Sequence, residues 1–74
     1  MTKDERYLLK LHQLGGLSGE IDCYEVGRAI GQNDKSVKNI VRMLAQANFI
    51  KMGEGNNISL TPQGLKLVSI LQGA

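Results

Sequence analysis

The clearest pattern in the chain is an apolar stripe that recurs every three or four residues between positions 34 and 47. It consists of Val37, Ile40, Val41, Leu44 and Ala45. This spacing places the side chains on one face of an α-helix, which has about 3.6 residues per turn. Asn33 precedes the segment, and Asn is a residue type that caps helices with its side-chain oxygen. We therefore predict a helix over residues 34–47 that buries this stripe.

Two shorter helices are predicted before this one. Thr2 and Glu5 have the spacing of a capping box, which predicts a helix over residues 3–14. The residues of this helix that are expected to face inward are Tyr7, Leu8, Leu11 and Leu14. Asp22 starts a second capping-box pattern, and the helix that it predicts covers residues 23–30.

Residues that favour β-strands follow the long helix. Asn48 is expected to end that helix in the left-handed conformation. Residues 49–52 and 57–60 are rich in β-favouring side chains, and the Gly-Glu-Gly-Asn sequence between them suits the turn of a hairpin. The connector before the second helix has room for a further small strand around Glu20 and Ile21.

The connections between these elements favour one arrangement. Only Gln32 and Asn33 separate the glycine that ends the second helix from the third helix. A short turn between a short helix and a longer amphipathic one is typical of a helix-turn-helix, in which the later helix enters the DNA groove. Thr61 as cap and Pro62 at the first position predict a last helix over residues 62–72. The alternative is any small helical bundle, but the hairpin favours the helix-turn-helix in an α+β fold that is mainly α.

Length and composition narrow the classes of function. A chain of 74 residues forms one domain with one core, which excludes a multi-domain enzyme with a substrate cleft. No nucleophile with a base, and no paired carboxylates, can be named, so we expect no enzyme. The chain has 42% hydrophobic and 22% charged residues, as a folded domain does. Without a long apolar run or the pattern of a signal peptide, a soluble cytoplasmic protein is expected.

Metal and redox chemistry is not expected. Cys23 is the only cysteine and His12 the only histidine, so one chain cannot assemble a disulfide or a zinc site of the Cys/His kind. A thiol at a helix start can have a lowered pKa, but Cys23 has no nearby partner in the sequence. We interpret both residues as structural and expect no metal and no cofactor.

The polar face of the 34–47 helix is the main candidate for function. It carries Lys35, Ser36, Lys38, Asn39, Arg42, Met43 and Gln46. Cations, amides and hydroxyls suit phosphate oxygens and base edges in a major groove. The net charge is only +2, but residues 34–51 hold four cations and one acid, a local balance of +3. The alternative is a solvated helix face that binds nothing.

The order of elements resembles a known family. Residues 60–64, Leu-Thr-Pro-Gln-Gly, lead from the hairpin into the last helix, and Ala29-Ile30-Gly31 precedes the turn. This pattern resembles the winged helix-turn-helix domain of MarR-type and related prokaryotic and archaeal DNA-binding proteins, over about residues 4–72. The resemblance implies a single winged-helix domain over residues 1–74, with a three-helix bundle, a two-stranded hairpin wing and a C-terminal helix. Asn48 stands where the family usually has Gly.

The resemblance also implies which residues contact DNA. On the third helix and its cap these are Asn33, Lys35, Ser36, Lys38, Asn39 and Arg42. Lys38 and Arg42 are the strongest candidates because they lie four residues apart on one face and can reach the same groove wall. Arg42 could also reach a guanine edge, and Asn39 could pair with an adenine. On the wing, Lys51 and Asn56 are the candidates, although Glu54 stands at the tip where the family usually has Arg or Lys. The simpler interpretation of the wing is a tight turn without DNA contact.

The terminal helices carry more apolar residues than one narrow stripe needs. We expect the surplus side chains to form a homodimer interface, made by Leu9, Leu67, Ile70 and Leu71. The function predicted is that of a small transcription regulator, in which two copies of the third helix enter successive major grooves of double-stranded DNA. The alternative is a protein–protein interaction module with the same fold and no DNA binding.

Overall fold

The structure, a computed structural model, describes residues 1–73 of the chain. Over this range it is mostly helical, with four helices and one three-stranded antiparallel sheet, which confirms the predicted α+β class. In chain order the elements are α1 (Lys3–Gln13), β1 (Ile21–Asp22), α2 (Cys23–Ala29), α3 (Asp34–Gln46), β2 (Ile50–Met52), β3 (Asn57–Leu60) and α4 (Pro62–Gly73). Each helix starts where its pattern indicated and ends within one residue of the predicted end.

Side-chain caps fix where the first two helices begin. The Thr2 hydroxyl accepts a hydrogen bond of 3.2 Å from the Glu5 N–H, and the Thr2 N–H donates to Glu5 Oε1 at 2.8 Å. This is the predicted capping box, and the hydrogen bonds from Thr2 lower the pKa of the Glu5 carboxyl. At α2 the Asp22 carboxylate accepts a hydrogen bond of 2.8 Å from the Tyr24 N–H. Asp22 therefore caps the helix as predicted, but it binds the N–H of Tyr24 instead of forming the predicted capping box with Glu25.

The hairpin is part of a larger sheet than the sequence indicated. β3 is the central strand, with β2 on one edge and β1 on the other. Ile50 lies opposite Leu60 in the hairpin, while Ile21 of β1 lies opposite Ile58. The wing of two strands is thus corrected to a sheet of three, because a two-residue strand has too little pattern to predict its partner.

The first hairpin strand also begins one residue later than predicted. Phe49 N–H donates a hydrogen bond of 3.0 Å to the Leu44 carbonyl, so Phe49 still closes the end of α3. Asn48 has a φ of 63°, the left-handed conformation that was predicted for it. Gly64 of α4 lies against the Phe49 carbonyl, with which a Cβ on Gly64 would collide. The end of α3 and the start of α4 are therefore packed backbone to backbone.

The core is aliphatic apart from one tyrosine. Its buried members are Tyr7, Leu8, Leu11, Cys23, Val26, Val37, Ile40, Val41, Leu44, Ile50, Ile58, Leu60 and Val68. The Tyr7 hydroxyl donates a hydrogen bond of 2.6 Å to the Cys23 carbonyl, which satisfies its polar atom inside the core. Among residues 1–73, no buried side-chain nitrogen or oxygen lacks a hydrogen-bond partner.

The prediction that Leu14 faces inward is wrong. Its side chain is 40% exposed, because α1 ends at Gln13 and Leu14 follows as the C-cap. Gly15, with a φ of +96°, then reverses the chain, and the Gly16 N–H donates to the Leu11 carbonyl at 2.9 Å. The chain therefore folds back over Leu11 and leaves Leu14 outside.

Candidate nucleic-acid interface

α3 is fixed in the fold by a close approach to α2. Gly27 is buried, and a Cβ there would collide with the side chain of Val37, so glycine lets the two helices come this close. Gly31, with a φ of +74°, turns the chain between the helices. The Asn33 side chain then accepts a hydrogen bond of 2.9 Å from the Ser36 N–H as the N-cap. Because Val37, Ile40, Val41 and Leu44 are buried and Ala45 is partly buried, the polar face of α3 points outward.

Most of the side chains predicted for this interface are exposed together. The exposed residues of α3 are Asp34, Lys35, Lys38, Asn39, Arg42, Met43 and Gln46. Ser36 is half-buried, and its backbone is engaged by the Asn33 cap. Asp34 is the acid of this surface and lies at the helix start, where a negative charge favours the helix dipole. The polar face of α3 therefore combines three cations with two amides.

One side-chain hydrogen bond organises the middle of this face. Arg42 Nη2 donates to Asn39 Oδ1 at 2.8 Å, with both side chains exposed. The amide of Asn39 thus has its oxygen directed at the guanidinium. The sequence placed both residues on one surface, but this pairing between them was not predicted.

The hairpin presents few groups that suit DNA. Lys51 is exposed on β2, and Asn56 is exposed in the turn. The Asn56 carbonyl accepts a hydrogen bond of 2.9 Å from the Cys23 N–H, which ties the turn to the start of α2. Glu54 is exposed at the tip, and the Glu20 carboxylate lies against Gly53. Two carboxylates therefore flank the turn, and Glu20 reaches it only because β1 joins the sheet.

A cleft of about 360 Å³ separates α3 from the hairpin. It is lined by Cys23, Tyr24, Lys38, Val41, Arg42, Ala45, Gln46, Met52 and Asn56. The side chain of Met52 is 49% exposed there. Sequence reasoning missed this cleft, because it depends on how the hairpin packs beside α3. The helical spacing of Lys38, Arg42 and Ala45 was the one available signal, since it places them on the same flank.

Cys23 and His12 differ in burial. Cys23 is buried at the first position of α2, and burial raises the pKa of its thiol. His12 is half-buried on α1. Within residues 1–73, no group of three or more His, Cys, Asp or Glu side chains could hold a metal ion.

The four residues predicted for a dimer interface differ in exposure. Leu9 and Leu67 are partly buried and pack against the core, and Leu71 is also half-buried. Ile70 is 68% exposed on α4. A dimer contact through these residues would therefore be centred on Ile70.

Comparison of the chain with family models, curated proteins and solved structures gives no match. No helix within residues 1–73 is long and apolar enough to cross a membrane. What the chain does is therefore inferred from the chemistry of its own residues.

Proposed function

We propose that this chain is a winged helix-turn-helix DNA-binding domain that acts as a small transcription regulator, with α3 inserted into the major groove. The observation that carries the proposal is the exposed face of α3, on which Lys35, Lys38, Asn39 and Arg42 lie outside the core. Cations contact phosphates, and amide and guanidinium groups contact base edges. A buried, rigid opposite face keeps these groups in place.

The order of elements supports the same proposal. α2 is followed by a short turn and then by the longer α3, as in a helix-turn-helix. The hairpin of β2 and β3 comes next and corresponds to the wing, and α4 packs against α1 behind them. In this proposal β1 is the third strand that anchors the wing to the bundle.

Affinity in this proposal rests mainly on α3. The hairpin carries Lys51 but also Glu54 and the nearby Glu20, so its contribution to phosphate binding is small. A single copy therefore binds weakly. We propose that two copies associate through α4 around Ile70 and place their α3 helices in successive major grooves, roughly 34 Å apart.

The proposal is tested by an electrophoretic mobility shift of random duplex DNA across a salt series. Two phosphate contacts per copy, from Lys35 and Lys38, predict that log K falls with log salt at a slope of roughly −2 per bound copy. The supporting result is binding at low salt that weakens with about this slope. Absence of any shift at the lowest salt would contradict the proposal.

A protein-docking module is the second candidate, and the cleft between α3 and the hairpin is the observation that favours it. The residues that line the cleft include the apolar Val41 and Met52 and the cations Lys38 and Arg42. Such a cleft suits an amphipathic helix with acidic residues beside its apolar face. This candidate is supported if duplex DNA does not bind while a partner is captured through the cleft, and substitution of Met52 by Glu then abolishes capture.

A further inference from the structure

The hydrogen bond between Arg42 and Asn39 restricts what the α3 face can recognise. A guanidinium has only donors, so the atom of Asn39 that faces Arg42 at 2.8 Å must be its oxygen. The amide nitrogen of Asn39, with its two donors, is then directed away from Arg42. One of the two lone pairs on this oxygen is taken by Arg42, while both donors of the amide remain available.

The two neighbouring lysines add further donors. Lys35 and Lys38 are exposed on the same helix, and a lysine ammonium cannot accept a hydrogen bond. A base amino group that approached Asn39 Oδ1 would meet the N–H groups of Arg42 at the same oxygen. The exposed acceptors of Asp34 and Gln46 lie at the two ends of α3, so donors predominate at the centre of the face.

Each base pair presents a different pattern in the major groove. Guanine has two adjacent acceptors, O6 and N7, whereas adenine places an amino donor beside its N7 and cytosine presents an amino donor. A surface on which donors predominate matches guanine better than it matches the amino groups of adenine and cytosine. We infer that α3 recognises guanine through Arg42, and that Asn39 is the residue that positions Arg42 for this contact.

This inference rests on the proposed function and revises the expectation that Asn39 pairs with adenine. A bidentate contact with adenine needs the Asn39 oxygen as an acceptor for the adenine amino group, and Arg42 already donates to that oxygen. The hydrogen bond also restrains the long Arg42 side chain before DNA arrives. Less conformational freedom is then lost when the guanidinium meets a base.

The experiment measures binding to a duplex selected from a random library by the full chain. Each guanine is replaced in turn by 7-deazaguanine, which lacks the N7 acceptor, or by inosine, which keeps both major-groove acceptors. We expect 7-deazaguanine at one position per half-site to raise Kd roughly threefold to tenfold, and inosine there to have little effect. Fluorescence anisotropy at a fixed salt concentration measures Kd for each substituted duplex.

Variants of the protein distinguish base recognition from electrostatic attraction to DNA. Arg42→Lys keeps the cation but loses the planar fork, so it should keep binding to random duplex while the 7-deazaguanine effect disappears. Asn39→Ala should reduce that effect while Arg42 is still present. Gln13→Ala removes an exposed amide outside α3 and should leave the effect unchanged.

The outcomes distinguish this inference from the proposed function. Duplex binding that is insensitive to every 7-deazaguanine, or an Asn39→Ala variant with an undiminished effect, overturns the inference and leaves DNA binding in place. Failure to bind any duplex at low salt overturns both. Loss of the effect in Arg42→Lys and its reduction in Asn39→Ala support guanine recognition.

Discussion

The Thr61 hydroxyl donates a hydrogen bond of 2.6 Å to the backbone carbonyl of Asn48, the residue that ends α3 in the left-handed conformation. The same hydroxyl accepts a hydrogen bond of 2.9 Å from the Gly64 N–H and so caps α4. One oxygen therefore connects the end of one helix to the start of another. Gln63 adds a weaker contact, from its amide nitrogen to the Ala47 carbonyl at 3.4 Å.

Thr61→Val should destabilise the fold, because valine keeps the shape of threonine but loses both hydrogen bonds of the hydroxyl. The expected loss is about 1–2 kcal/mol in the free energy of unfolding. Urea denaturation followed by circular dichroism measures it. Thr61→Ser is the matched control, since it keeps the hydroxyl and should retain most of the stability. Equal losses in both variants would show that the methyl group matters as much as the hydroxyl and would contradict this prediction.

Gly64→Ala should also destabilise the fold, because the added Cβ would collide with the Phe49 carbonyl. Backbone cannot move aside as a flexible side chain can, and overpacking of this kind typically costs about 1–3 kcal/mol. Gly73→Ala is the control within the same helix, because nothing lies within 4 Å of a Cβ at that position. Thermal denaturation should show a lower Tm for Gly64→Ala and an unchanged Tm for Gly73→Ala. A normal Tm for that variant would mean that α4 can shift away from Phe49.

Lys38→Ala should weaken binding to duplex DNA and flatten its salt dependence. One phosphate contact fewer changes the slope of log K against log salt by about 0.9 per copy. Lys66→Ala is the matched control, because Lys66 is an equally charged, exposed residue on α4. Anisotropy titrations at several salt concentrations compare the two slopes. The same slope change in both variants would assign the effect to net charge instead of the α3 surface.

Stability should fall at alkaline pH because of Tyr7. Burial raises the pKa of this phenol above its ordinary value of 10.0, so above that pH the unfolded chain loses the proton before the folded chain does. The stabilisation is therefore fully present below about pH 10 and is lost as pH rises beyond it. Tyr7→Phe should lose about 1–2 kcal/mol at neutral pH, from the hydrogen bond to Cys23, and should show a shallower alkaline decline.

The matched control for this pH dependence is Tyr24→Phe, which leaves Tyr7 intact. Urea denaturation at neutral pH and above pH 10 gives the free energy of unfolding for each variant. The difference between wild type and Tyr7→Phe should shrink as pH rises, while Tyr24→Phe should keep the steep decline. A constant difference between wild type and Tyr7→Phe would contradict the role of the buried phenol.

Ile70→Glu should dissociate the proposed homodimer, because it places a charge at the most exposed apolar side chain of α4. Sedimentation velocity should then show a monomer where the wild type shows a dimer. Met52→Glu makes the same change on the hairpin, where the side chain is 49% exposed, and should leave the dimer intact. A wild-type chain that sediments as a monomer at high concentration would exclude this mode of association.

Local signals explain which parts of the fold could be predicted. The caps at Thr2, Asp22 and Asn33 depend on residues within three positions of one another, so the sequence determines them directly. The pairing of β1 with β3 joins Ile21 to Ile58, far apart in the chain, and its two-residue strand has no periodicity to detect. Distance along the chain is therefore what limited the prediction.

The candidate site also combines features that the sequence predicts with features that it does not. The exposure of Lys35, Lys38 and Arg42 followed from the helical period alone. The approach of Glu20 to Gly53 and the cleft beside α3 did not, because both depend on how the sheet packs on the helices. The bond from Arg42 to Asn39 lies within one helical turn, yet it depends on rotamers that residue types do not specify.

The contact of Gly27 with Val37 means that different residues of α3 fix its position and form its exposed surface. Gly27 and the buried stripe determine where the helix lies, and none of the outward residues takes part in that contact. The residues that we propose to contact DNA can therefore be exchanged while the helix keeps its position. If the proposed function holds, a change of Lys35, Asn39 or Arg42 alters the DNA sequence recognised without rebuilding the fold beneath these residues.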